Sequence, residues 1–345
     1  MTTEPLHLEI THRALARRRR VTWTIIVLAL ALVALYVVSL CVGDRTYSIG
    51  QVLQVIAGQQ VPGASFTVGE LRLPRATTAV LTGFAFGVAG VCFQTLLRNQ
   101  LASPDIIGIT AGANTSAVAG IIVFGLSGQV LSAFSVAGGL ITALLIAALA
   151  WGRGGASGRL ILIGIAVSAM FDAVTMWLLV NANQWEVQNA SRWMTGSLNN
   201  ASWETLTPLA IALLVTAPTL AVLASRLQTL RLGDETAAAL GIHVMRTRIS
   251  VMVVAVLLLA LATATTGPIA FVSFLAGPIA MWMLGPSHSP VFASGLVGAV
   301  LVLASDFIAT HLLPHTYPVG VVTGALGGVL LIVLLIRSNR KETHE

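Results

Sequence analysis

From Ala76 to Leu97 the chain carries no charged side chain for 22 residues, with Arg72 and Arg75 before the run and Arg98 directly after it. At about 1.5 Å of rise per residue, a helix of this length crosses a hydrocarbon core of roughly 30 Å. Gly83, Gly87, Ala89 and Gly90 give it a close-packing face, which suits the inside of a bundle better than a lipid boundary. Ser103-Pro104-Asp105 then offers a cap, a first-turn proline and an early acidic residue. A second helix is therefore expected to start at once, after a short reversal.

The rest of the chain is built to the same specification. Only 9% of its residues are charged and 56% are hydrophobic, with a mean hydropathy of +0.88, which excludes an ordinary soluble domain. Ten apolar segments are expected to cross a membrane: Val21–Val42, Ala76–Leu97, Ile106–Phe124, Val130–Trp151, Leu160–Val180, Leu206–Ser225, Ile249–Thr266, Phe271–Leu284, Val291–Thr310 and Val319–Ile336. The formal charge of +6 does not point to nucleic acid, because the arginines sit in short loops beside these segments and act as topology signals. Starting from the inside, 15 of the 19 basic residues fall on the cytoplasmic side and 4 outside, so both termini are expected in the cytoplasm. The basic tail 1–20 ends in Arg17–Arg20, and the apolar run behind it is too long for a signal-peptide core, so it reads as a retained first helix. The fold class expected is an all-α polytopic membrane protein, with a transmembrane domain over 21–336 and a short cytoplasmic tail over 337–345. Cys41 and Cys92 lie inside apolar runs and suggest neither a disulfide nor a metal site.

The connecting segments are more informative than the spans. Gly43–Glu70 is expected outside, with a short amphipathic helix around Ile49–Ala57, and it ends in the pair Arg72 and Arg75 at the outer face. Two guanidinium groups three residues apart either anchor a helix at the headgroups or dock carboxylates of an external protein. Asn181–Trp203 is also expected outside, with a surface helix around Gln188–Gly196. The longest inner loop, 226–248, reads RLQTLRLGDETAAALGIHVMRTR. There Asp234 is expected to cap a helix Glu235–Leu240, and Gly241 to end it in a left-handed turn. Ala237, Ala238 and Ala239 make that helix nearly flat, so its natural use is to lie in a groove on another protein. Gly267-Pro268 and Gly277-Pro278 bracket the short segment Phe271–Leu284, a pattern found along translocation routes.

Asp172 and Asp306 each place a carboxylate inside an apolar run, and both are assigned structural hydrogen-bonding roles. His311 and His315 have the helical i, i+4 spacing but Pro314 intervenes, which argues against a metal pair. Lys341 is the single lysine, so the chain cannot carry the phosphate-binding lysine of a P-loop, and any ATP it depends on is hydrolysed elsewhere. An ion-coupled secondary transporter would need ionisable groups along its route, and only those two aspartates qualify.

Seven motifs, in order and at matching spacings, resemble one family: LRLPR, GVAGVCFQTLLRNQLASPDIIGITAGA, GSLN, LGDETAAALGI, TGPIAFVSFLAGPIA, ASDFIA and YPVGVVTGALGG. They look like the iron-siderophore, haem and cobalamin permeases of type II ABC importers, and most like those for ferric enterobactin and related catecholates. The resemblance covers nearly all of the chain beyond the first 20 residues. It implies a non-catalytic ten-helix subunit of the inner membrane, working with a second permease subunit, two ATPases that hold ATP and magnesium, and an external substrate-binding protein. No cofactor is expected on this chain. By resemblance, Arg72 and Arg75 meet acidic residues of the binding protein. Gly233, Asp234, Glu235, Thr236, Ala237, Ala238, Ala239, Leu240 and Gly241 form the coupling helix on the ATPase, and Asn99 and Leu101 narrow the cytoplasmic exit. Two motifs depart from the pattern. The usual RNP reads Arg98-Asn99-Gln100, and the usual PHIAR reads Gly277-Pro278-Ile279-Ala280-Met281, which favours pairing with a more typical partner.

Overall fold

A computed structural model describes residues 6–100, 102–103, 108–150, 156–285 and 289–342. Helix α1 (Leu6–Cys41) is followed by α2 (Ile49–Ile56) and by a π-helical stretch, Ser65–Arg72, that runs straight into α3 (Leu73–Leu96). Then come α4 (Ile109–Ile122), α5 (Gly128–Ala150), α6 (Ala156–Val180), α7 (Gln184–Met194), α8 (Trp203–Leu230), α9 (Asp234–Ala239), α10 (Val244–Thr266) and α11 (Val272–Leu284). Helix α12 (Val291–Phe307) loosens into a π-helical turn, Ile308–Leu312, before α13 (Val319–Glu342). Among the described residues, seven helices are long and apolar enough to cross a membrane, and three shorter apolar ones, Ile109–Ile122, Val272–Leu284 and Val319–Val333, join them. These ten correspond one for one to the ten expected segments, and α2, α7 and α9 are the three connecting helices foreseen in the loops.

Helix α3 is the centre of the bundle. In the most apolar window of Ser65–Leu96, 78% of residues are buried, against 17% for the first helix. It packs most extensively on α12 and also against α8, α10 and α11. The glycines decide this. A methyl group on Gly83 or Gly87 would overlap the main chain of α12 at Gly298 and Ser294, and one on Gly90 would overlap Ser273 of α11. Such backbone-to-backbone approach brings many dispersion contacts together without relying on a hydrophobic effect between helices. The outer helices expose what α3 hides. Leu30, Leu144, Leu162 and Val329 are each more than 60% exposed, a surface suited to hydrocarbon rather than water.

Several boundaries differ from expectation for local reasons. Helix α7 starts four residues early because Asn183 and Glu186 form a reciprocal capping box. The start expected at Ser103-Pro104-Asp105 lies partly outside the described residues, and the described α4 begins at Ile109 behind Gly108, whose φ is 89°. Asp234 is not the cap of α9. Gly233 holds that position with no side-chain cap bond, and the helix begins at Asp234 itself. Gly241 does end it in the left-handed region, at φ 82°. Helix α1 already includes the described part of the basic segment before residue 21, and α13 continues through the basic residues after 336.

Candidate functional site: two ion clusters at the ends of the bundle

The two polar clusters lie at opposite ends of α3, whose 24 residues separate them by roughly 36 Å at about 1.5 Å per residue. At its first turn, Arg75 donates from Nε to Asp306 Oδ2 at 2.9 Å and from Nη2 to Asp306 Oδ1 at 2.8 Å. Its Nη1 donates to Asn199 Oδ1 at 2.9 Å, so all three nitrogens of the guanidinium have partners. This is the fork-to-carboxylate geometry that arginine makes best, and it ties α3 to α12 and to the GSLN loop. That loop is pinned in turn by Ser197, whose N–H donates to Thr266, and by the N–H of Gly320, which donates to Gly196.

Arg72 is engaged differently. It donates to the carbonyls of Leu40 at 2.9 Å and Arg45 at 2.7 Å, and its guanidinium lies 5.3 Å above the ring of Tyr47. A side chain at Gly43 would collide with it. Between these groups is a cleft of about 510 Å³, lined by Asp44, Arg45, Arg72, Arg75, Asp306 and His311 among others. Arg45 is exposed on its rim, and His311 stacks on Phe307 at 4.9 Å between centroids. The structure thus brings Arg72 and Arg75 together on one cleft, with their donors already directed at groups of the same chain. A carboxylate entering the cleft would have to compete with Asp306 for Arg75.

The far end of α3 carries the second cluster. Arg98 follows the helix with φ 52°, unusual for a residue other than glycine. Its Nη2 donates to Asp234 Oδ1 at 2.6 Å, and Arg248 Nη2 donates to the same oxygen at 3.0 Å. Asn99 stands beside Arg98, exposed, with its main chain tied to Gln94 and Ala102. Leu101 lies outside the described residues. In α9, Ala237 is buried against the bundle, whereas Glu235, Thr236, Ala238, Ala239 and Leu240 are exposed, leaving a low, mostly uncharged surface. Nearby, Arg20 donates to the carbonyls of Trp282 and Met283. It closes the C-terminal end of α11, beyond the position where the departure from PHIAR leaves Met281.

The two aspartates of the apolar runs separate. Asp306 has the hydrogen-bonding role expected of it. Asp172 does not: it is exposed on α6 and makes no side-chain hydrogen bond or ion pair among the described residues. Two residues on the same stripe of α6 are in contact with α4 or its N-cap, Thr175 through Thr115 and Ser168 beside Gly108, yet Asp172 itself stays exposed. Reading the sequence alone missed Asp306 and Asn199 as partners of Arg75, and Arg98 and Arg248 as partners of Asp234. No local pattern announces a contact between residues 231 or 136 positions apart.

Apolar spans locked by glycine contacts, with ion clusters at both ends and a flat, exposed helix beside one of them, define a polytopic membrane subunit of the transport kind. Residues 30–337 match the FecCD transport family, and the chain belongs to it. It is 40% identical over 325 residues to the ferric enterobactin transport system permease protein FepG of Escherichia coli, covering 94% of this chain and 98% of that one. It is also 33% identical to FepD, a permease protein of the same system, over 91% of this chain and 95% of FepD. Permease proteins of Bacillus subtilis named for iron(3+)-hydroxamate and Fe(3+)-citrate import are similar too, at 33% and 32% identity. Among solved structures, an inward-facing ABC transporter of the metal-chelate type superposes with a TM-score of 0.81 at 28% identity, over 90% of this chain and 97% of that one. The chain is therefore a multi-pass inner-membrane permease subunit of the iron-chelate ABC type. It is not the component that hydrolyses ATP.

Proposed function

We propose that this chain is half of the pore of an ATP-driven importer that carries a ferric siderophore across the inner membrane, with an enterobactin-like catecholate as cargo. The observation that carries the reading is the near full-length similarity to a ferric enterobactin permease. Similarity to both FepG and FepD supports a heterodimer with a second permease subunit. Two ATPases, which hold ATP and magnesium, complete the inner side, and a substrate-binding protein docks outside at Arg72 and Arg75. Both termini are cytoplasmic. Asn99 and Leu101 narrow the exit, and Gly233–Gly241 is the coupling segment. The exposed, low-relief face of α9 supports that last assignment, because a helix with so little bulk can sit in a groove without steric conflict.

Uptake of radioactive iron, presented as ferric enterobactin, ferrichrome and haem to cells with and without the gene, tests the cargo. Loss confined to the catecholate is the expected result. Loss of ferrichrome or haem uptake instead would keep the permease and change its cargo. Asp234→Arg combined with Ala238→Trp tests the coupling assignment: transport and stimulated ATP hydrolysis should both fall, and unchanged values would remove α9 from the mechanism.

A further inference from the structure

Asp234 is placed where a carboxylate ordinarily bonds the free N–H groups of its own helix. It does not do so. Helix α9 has no side-chain cap bond, and the Asp234 carboxylate instead turns back to the bundle, where one oxygen accepts from both Arg98 and Arg248. We propose that this three-residue cluster is the link through which α9 acts on the pore. Asp234 is a positioning residue that holds the left-handed turn at the end of α3 and the first turns of α10. The inference rests on the reading of α9 as the surface on which an ATPase sits.

Without the cluster, α9 is poorly attached. Ala237 is its one buried residue, and it joins its neighbours through Gly233 at φ 112° and Gly241 at φ 82°. Glycines in these regions have no side chain to brace the backbone, so both joints can swivel. A push on such a helix would be absorbed locally unless something rigid passed it on. Arg98 is suited to that task. A non-glycine residue at positive φ persists only where its surroundings hold it there, and the 2.6 Å contact with Asp234 is such a hold. The turn it controls leads directly into the bundle. The Asn99 N–H donates to the Gln94 carbonyl at 3.0 Å, and the Gln94 side chain donates to Phe274 O of α11 at 2.9 Å. A displacement of Asp234 therefore reaches α3, α10 and α11, and the exposed turn carrying Asn99 moves with it.

The test uses the complete importer in proteoliposomes, with ferric enterobactin and its binding protein, and reads iron transported per ATP hydrolysed. Arg98→Gln, Asp234→Asn and the double variant form a cycle, with co-purifying ATPase measured for each. Each single variant should lower the ratio about tenfold, and the double should be no worse than either single, because both break one connection. Arg98→Lys should recover most of the loss. Arg248→Gln, on the other side of the carboxylate, gives a second approach if Arg98→Gln yields no assembled complex, and should show the same non-additivity. An unchanged ratio in these arginine variants, or losses that multiply, would overturn the link and leave Asp234 acting on the ATPase alone. Absence of ATP-driven uptake by the unaltered importer would instead sink the transport reading beneath it, an outcome distinct from both.

Discussion

The two ends of α3 use the same pair of residue types in opposite ways. At the outer end, Arg75 and Asp306 meet through two parallel hydrogen bonds with side-chain exposures of 24% and 9%. At the inner end, Asp234 is shared by two arginines through single contacts, and the groups are exposed by 44% for Asp234, 47% for Arg98 and 27% for Arg248. Burial makes the first a staple, since a charge left without its partner in a water-poor site is heavily penalised. Exposure makes the second worth little to overall stability, because water can solvate the separated groups, while its contacts still set where α9 sits relative to α3 and α10. One end of the bundle is fixed, and the other can move.

Removing single groups would sharpen or break that contrast. The largest effect is expected for Asp306→Ala, which leaves Arg75 without its carboxylate and should lower stability by about 3–5 kcal/mol, read as thermal unfolding of the purified subunit in detergent. A change below about 1 kcal/mol would place the outer pair in the exposed class and erase the distinction. Next comes Gly233→Ala. With φ 112° and ψ 156°, this backbone conformation is nearly closed to residues with a Cβ, and the strain should amount to about 1–3 kcal/mol. Hydrogen exchange should show it in α9, in the turn at Arg98 and in the first turns of α10, and spreading to the outer end of α3 would mean that the two ends do not behave separately.

Asp234→Asn should cost stability no more than about 1 kcal/mol, however strongly it changes transport, and a loss like that of Asp306→Ala would contradict a solvent-exposed cluster. The smallest effect is expected for Asp172→Asn. With no side-chain partner among the described residues, its removal should leave unfolding of the isolated subunit within about 0.5 kcal/mol of the original. A clear destabilisation would reveal a contact that α6 makes within the fold after all.

How far the molecule could be read in advance followed the range of the forces involved. The ten spans were legible because an apolar run long enough to cross a bilayer is a local property. The flat helix after Gly233 and its end at Gly241 were legible for the same reason, as was the close-packing face of Gly83, Gly87 and Gly90. The cap of α9 was misassigned because Asp234 can satisfy either its own helix or a distant arginine, and the distant pair prevailed. Asp172 and Asp306 look alike as letters in apolar runs, yet Asp306 lies at the contact between α3 and α12 and Asp172 stays exposed on α6.

The sequence by itself determined that this chain crosses a membrane many times, which helix can be central, and where small, flat or basic surfaces occur, because composition and spacing act over one or two turns. Only the tertiary structure decided which arginine meets which carboxylate, which aspartate is paired and which stays exposed, and how α9 is tied to α3. Those outcomes depend on helices more than a hundred residues apart arriving side by side, where a few ångströms separate a buried ion pair from a solvated charge.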